Sequence, residues 1–415
     1  MRCLVGFSVL LAAGCAGVTG AGPKGSSENR SESDTALLAK VGGEAAGKIV
    51  WSSSRRGNHD LFVINTDGSG EKALTQGDTV DWFPRFSPDG ARILFVRSRK
   101  GWVSERDANT DGKWDLFTIA PEGGEATKVA DNASWGTWVD GTNILFVRGT
   151  KLFRKNFESD EEKLLLDSNG YGDLDGALLQ QPQISPSGRY VAITLRGSKR
   201  ETGIWDLEEK TWTRTGDGCQ INWTPDGQAV YWVHPTGNGG SRVFKMAVKG
   251  ASPVEPDVSD DQRTFIDLPG RRSHEYFPQL SGDGQWLVWA ATQRGHDHDI
   301  ADYEVYLWKV KDTAENAARL TFHSGNDRWP DIFLPAATAA AIPQAGAEAG
   351  GGAEDARTAG ADQAGSDGAE AAPGSATGQS LVAAGATAAA KAAKGKAKKK
   401  RALKKKRKRP PRRKK

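Results

Sequence analysis

Asp107, Asn109, Asp111, Lys113 and Asp115 alternate along one short stretch, with Gly112 at its sixth place, and form the densest chemical motif in the sequence. Calcium is held by several hard oxygens at about 2.4 Å around a sharp turn, which alternating acids and a glycine supply, with Lys113 offering its backbone carbonyl. Thr118 stands where an EF-hand has its bidentate Glu, and no helical pattern flanks the loop. Two readings stay open: a Ca2+ loop, or a plain turn made by Asn, Asp and Gly. His296, Asp297, His298, Asp299 and Asp302 pose a similar choice for zinc, since His at i and i+2 share a strand face. A polar hairpin without a ligand is the preferred reading there, because Asn58, His59 and Asp60 occupy the matching place earlier in the chain. No Gly-x-Ser-x-Gly elbow occurs, which excludes an α/β-hydrolase nucleophile of that type.

Charge is strongly partitioned. Residues 391–415 hold 17 Lys and Arg and no acid, whereas residues 1–335 carry eight more acids than bases, so the formal +4 of the whole chain describes neither part. Lys398, Lys399, Lys400, Arg401, Lys404, Lys405, Lys406 and Arg407 form the core of a cationic tail without aromatics. Such a run binds polyanions by charge and counterion release. Lipopolysaccharide, an anionic polymer or DNA are the expected partners. Residues 336–390, rich in Ala and Gly, read as a disordered linker.

At the other end, Arg2 precedes an apolar run over residues 3–13, the length of a signal-peptide core and short of the roughly 20 residues that span a membrane. The run ends Leu11-Ala12-Ala13-Gly14-Cys15, which resembles a bacterial lipobox and implies lipidation at Cys15. Residues 1–14 are then a leader and 15–47 a flexible tether to the membrane. After processing, Cys219 would stand alone as a buried structural thiol, with no internal disulfide. Were the leader not removed by export, the tail would suit intracellular nucleic acid instead.

These ends must be positioned by what lies between them. Every one of the 14 Trp falls between Trp51 and Trp329, so one block holds the core. Short β-branched and aromatic runs recur there between turns, which predicts an all-β domain. Ser87-Pro88-Asp89-Gly90 returns as Thr224-Pro225-Asp226-Gly227, with variants at Ser185, Ser281 and Val139. An aliphatic-aromatic pair appears six times, at Leu61, Leu116, Leu152, Ile204, Val243 and Val305, spaced by 55, 36, 52, 39 and 62 residues. Spacings scattered about 40 to 50 residues are those of four-stranded propeller blades. The first blade lacks an inner strand and the segment around Trp329 has no successor. Pairing the two closes a six-bladed β-propeller over residues 48–335 and removes its sheet edges.

Phe83-Pro84-Arg85-Phe86-Ser87-Pro88-Asp89-Gly90, together with Ser53-Ser54-Arg55-Arg56-Gly57 and Asp60-Leu61-Phe62-Val63-Ile64, resembles the repeats of the TolB-type β-propeller. Blades three and four depart from that pattern, with Lys151 and Gly203 where the family often has an acid. The resemblance implies a monomeric scaffold of the bacterial cell envelope, without catalysis of its own, that receives a partner protein at the channel mouth. Asp81, Trp82, Glu275, Tyr276, Arg328 and Trp329 would cluster there, with inter-blade packing as the alternative role for the aromatics. An unrecognised hydrolase or lyase at the same mouth is the competing function.

Overall fold

The computed structural model describes residues 26–255 and 257–335; Cys15, the linker and the cationic tail with Lys398 to Arg407 lie outside the described residues. Six antiparallel sheets follow one another along the chain as the blades of a propeller. Five are made from consecutive strands, and the first is composite. Its inner strand is Asp327–Phe333, paired antiparallel with Lys48–Ser53 so that Lys48 faces Phe333 and Ser53 faces Asp327. The ring therefore closes as the sequence predicts, with no unpaired inner edge at the seam. Blade five departs from four strands. Thr264–Ile266 joins Ser252–Pro253 on its outer edge, because the chain between them detours through the short helix Asp260–Arg263.

The recurring turns have a side-chain cause. Ser87 Oγ accepts from Arg92 N at 2.9 Å, Asp89 Oδ1 accepts from Ala91 N at 3.0 Å, and Gly90 takes φ +70°. Thr224 with Asp226, and Ser281 with Asp283, repeat the pattern. Gly90 is required twice over, since a Cβ there would also lie 2.3 Å from the Phe333 ring of the closing strand.

Each inner strand contains one residue of left-handed backbone: Phe83, Trp135, Gln181, Gln220, Phe277 and Trp329, all with φ between +53° and +62°. A register shift marks the same place in every blade, so these are bulges that re-aim one side chain per blade. Pro84, Pro182, Pro278 and Pro330 follow four of them, where an unpaired residue needs no amide donor. All six side chains are buried. Trp329 lies 4.3 Å from Phe277, 5.0 Å from Phe83 and 5.4 Å from Trp135, ring centroid to centroid. Trp135 and Trp329 belong to blades three and one, which are not neighbours, so the rings meet across the axis and fill it.

The segment expected as a flexible tether up to residue 47 is structured from Ser26 onward. Helix Glu32–Glu44 begins with a capping box between Ser31 and Asp34 and buries Leu38 and Val41 against blades one and six. Gly42 is dictated by close approach, since a Cβ there would stand 2.3 Å from Asp67. Ahead of the helix, Glu28 pairs with Arg319 at 2.6 Å and its amide donates to the Phe322 carbonyl. Two buried apolar residues in thirteen are too sparse a stripe to announce a helix, which is why composition alone suggested coil.

Asp331 ties the closing strand to blade two, accepting from Phe86 N at 2.7 Å. Burial outweighs the nearby Arg85 charge and pushes its carboxyl up to about 6. Such a group stays protonated in the fold while the unfolded chain ionises near pH 4, so it lowers stability progressively between about pH 4 and about pH 6. Asp331→Asn keeps an acceptor for Phe86 without the charge. Urea titrations should show the variant gaining stability relative to the parent across that window and no further gain above it; a constant difference would contradict the shift.

Candidate functional site

Inner strands begin at the same end at which the second strand of each blade turns into the third, and this loop face carries the longest insertions. The blade-two loop spanning residues 99–113 and the blade-six loop spanning 293–303 reach toward each other over the start of the closing strand. Their seam is polar. Arg328 Nη1 donates to Glu105 Oε2 at 3.0 Å, to Asp299 Oδ1 at 3.0 Å and to the His298 carbonyl. Trp329 Nε1 donates to Glu105 Oε2 at 2.7 Å, and His298 Nδ1 lies 2.6 Å from Glu105 Oε1. Asp299 also accepts from Glu105 N at 3.0 Å and from the Ser104 hydroxyl. Arg106 and Asp297, 2.6 Å apart, finish the seam on its exposed side.

The electrostatics follow from burial. Asp299 is pushed up by desolvation, but the Arg328 charge and the Ser104 and Glu105 donors outweigh that and hold it below its ordinary value. His59, beneath the seam with Nε2 3.2 Å from the Asp299 carbonyl, is held well below the usual imidazole range by burial and by Arg328. It is therefore neutral in the fold.

Five of the six residues expected at an exposed partner site are instead interior. Asp81, Trp82, Glu275, Arg328 and Trp329 are buried, and only Tyr276 is half-exposed, its ring 5.1 Å from His298. Trp82 packs against Trp135 at 4.6 Å, and Asp81 accepts from Arg97 Nε and Nη2, each at 2.7 Å. Glu275 Oε1 accepts from Leu268 N at 2.8 Å. The bulge turns Trp329 onto the axis and Trp82 packs 5.9 Å from it, so these two rings build the floor of the mouth.

Three of the would-be calcium residues, Asn109, Asp111 and Asp115, have protein partners. Asn109 donates to the Leu179 carbonyl at 2.7 Å and accepts from Gln180 at 2.9 Å, which spends it on a bridge between blades. Asp115 pairs with Arg99 at 2.7 Å and Lys128 at 3.4 Å, and Asp111 accepts from Asn132. Among the described residues no group of three His, Cys, Asp or Glu converges on a metal position. His296 stacks on Tyr276 at 6.3 Å while His298 serves Glu105, in keeping with a polar loop. Cys219 is free, and burial pushes its thiol up.

Beside the exposed Arg106–Asp297 pair, the two loops also present two large apolar side chains outward. Trp102 is 42% exposed and Ile300 79% exposed, and each lies within two residues of the bonded pair Ser104 and Asp299. Neither belongs to a repeat, so periodicity could not single them out; their only signal was bulk at the tip of an insertion.

No family model matches the chain. It is 22% identical over 284 residues to dipeptidyl-peptidase 5 of Porphyromonas endodontalis, covering 63% of this chain and 38% of that protein. The chain thus spans well under half the length of that relative. A stretch of 60 residues is 32% identical to the TolB homolog of Chlorobium luteolum, 14% of each chain. Among solved structures, a putative TolB from Agrobacterium tumefaciens aligns over 68% of this chain and 91% of its own at 15% identity, with a TM-score of 0.46.

Among the described residues Arg328 is the one cation shared by Glu105 and Asp299. Arg328→Met should leave both acids buried without it and cost about 3 to 5 kcal/mol in chemical denaturation. A loss below about 1 kcal/mol would mean that the ion pairs break even against their desolvation.

Proposed function

We propose that the chain is a non-enzymatic scaffold of the bacterial envelope that captures a partner protein on the loop face, with Trp102 and Ile300 as the anchors. The carrying observation is the seam itself. Two insertions that no repeat requires are locked to each other and to the closing strand, and they hold two large apolar side chains in solvent. An exposed aromatic and an aliphatic on a rigid polar platform are the composition of an interface hot spot. Glu105, His298, Asp299 and Arg328 use polar atoms on one another, which supports a positioning role for them in preference to acid-base work on a substrate.

The envelope assignment rests on the leader-like segment and Cys15, through which a lipid would anchor the chain. The cationic tail, Lys398 to Arg407 at its centre, is read as an accessory contact to lipopolysaccharide, an anionic polymer or DNA, whose strength would fall steeply with salt.

Photo-crosslinking in intact cells tests the capture surface. A crosslinker placed at position 102 or 300 should give one discrete adduct, and one at Leu164 or Val254, which are also exposed but lie on outer edges, should give none. With the adduct identified, Trp102→Ala should weaken binding about thirtyfold with unchanged thermal unfolding. Adducts from the outer-edge positions alone would place recognition elsewhere.

A further inference from the structure

The chain ahead of blade one forms a strap along the outside of blade six. Residues 26–28 lie antiparallel to residues 322–324, the stretch that leads from blade six into the closing strand. Ser324 N donates to the Ser26 carbonyl at 2.9 Å, Ser26 N to Ser324 Oγ at 2.7 Å, and Glu28 N to the Phe322 carbonyl at 2.9 Å. Arg319 Nη2 donates to Glu28 Oε2 at 2.6 Å, and this bond holds the Glu28 carboxyl below its ordinary value. The strap is also tied to the loop face. Glu28 lies 4.0 Å from Arg272, which donates to the Asp302 carbonyl at 2.7 Å and to Asp302 Oδ2 at 2.8 Å, inside the insertion that presents Ile300.

The direction of the strap decides what it can do. Residues 322–324 run toward the loop face, so their antiparallel partner runs away from it, from Ser26 to Glu28. Helix Glu32–Glu44 continues that course for about 20 Å. It ends beside Lys309 and Asp67, at the opposite end of the blades, where Lys48 opens blade one. The chain ahead of Ser26 therefore leaves at the loop face. Eleven residue steps separate Ser26 from Cys15, and they span at most about 40 Å whatever path they take. With strap and helix undocked, 33 steps would separate Cys15 from Lys48 and allow about 120 Å.

We propose, resting on the envelope reading of Cys15, that the strap holds the loop face toward the lipid surface to which Cys15 is attached, so that the partner captured at Trp102 and Ile300 is a protein held at that same membrane. A partner confined to that surface meets the two anchors at a raised effective concentration, which a partner free in solution does not. Insertion of Trp102 and Ile300 into the lipid itself is disfavoured, because Arg106 and Asp297 on the exposed side of the seam would be carried toward hydrocarbon with them.

Energy transfer from the full lipidated chain to acceptor lipids tests the orientation. The chain is reconstituted in phosphatidylcholine vesicles, which offer the cationic tail no net negative charge, with a genetically encoded fluorescent residue at position 294 or 285. Arg294 and Gln285 are both exposed in blade six, at the loop-face end and the opposite end of Trp286–Thr292, a strand of about 23 Å. Transfer from 294 should be at least twice that from 285. Glu28→Pro removes the amide donor and the Arg319 pair together at an exposed position, and should bring the two efficiencies together with thermal unfolding unchanged. In cells, the protein crosslinked from position 102 should sediment with membranes even where this chain is deleted. Equal transfer in the parent, stronger transfer from 285, a difference that survives Glu28→Pro, or crosslinks to lipid or to a soluble protein would each overturn the proposal. Absence of fatty-acid label at Cys15 would overturn the envelope reading and the proposal with it, whereas label at Cys15 with equal transfer overturns the orientation alone.

Discussion

Six inner strands converge on one axis, and the space between them must be filled without opening the ring. The chain meets that constraint by bulging every inner strand at the same level and placing one residue per blade in a left-handed backbone. Each such residue costs about 1 kcal/mol or more, and six of them persist only because packing over-determines them. Four are aromatic and interlock around Trp329, while Gln181 and Gln220 close the remaining side, with Gln220 Oε1 accepting from Phe277 N at 2.6 Å. The rest of the architecture depends on this. Blade one can contribute its axial residue only if the last strand returns to pair with the first, so closure and axial packing are one event.

A filled axis decides where function can lie. It packs the centre at the level of the bulges with side chains, so under the proposed scaffold reading a partner would meet the loop face, where insertions are free to grow. There the closing strand is used a second time, because Arg328 and Trp329, adjacent in sequence, both donate to Glu105 Oε2. The residue that neutralises the seam and the residue that plugs the axis are thus set by the same backbone irregularity.

The repeat was legible because strand pairing and turn chemistry are local and recur: the Ser/Thr and Asp of the turn take the same hydrogen bonds in blades two, five and six, and the aliphatic-aromatic pair recurs in all six. Closure was legible by complementarity, a missing strand at one end and a surplus strand at the other. The bulges were not, since a left-handed Trp or Phe has no compositional signature beyond the proline after it. For that reason Trp82, Trp329 and Arg328 were expected at an exposed mouth and are found inside. The seam was illegible for another reason. Ser104 and Glu105 meet His298 and Asp299 across roughly 190 residues of chain, and no periodicity links one insertion to another.

Native-state hydrogen exchange at the closing strand tests the account most directly. If closure and axial packing are one event, the amides of Ile332 and Ile49, which pair across the seam, exchange only through global unfolding. Their opening free energy and urea dependence should then match those of the Val191 and Ile193 amides in the continuous blade four. Exchange of the seam amides through a lower-energy, urea-insensitive opening would show that the last strand detaches by itself, and would contradict the dependence of the ring on its closing strand.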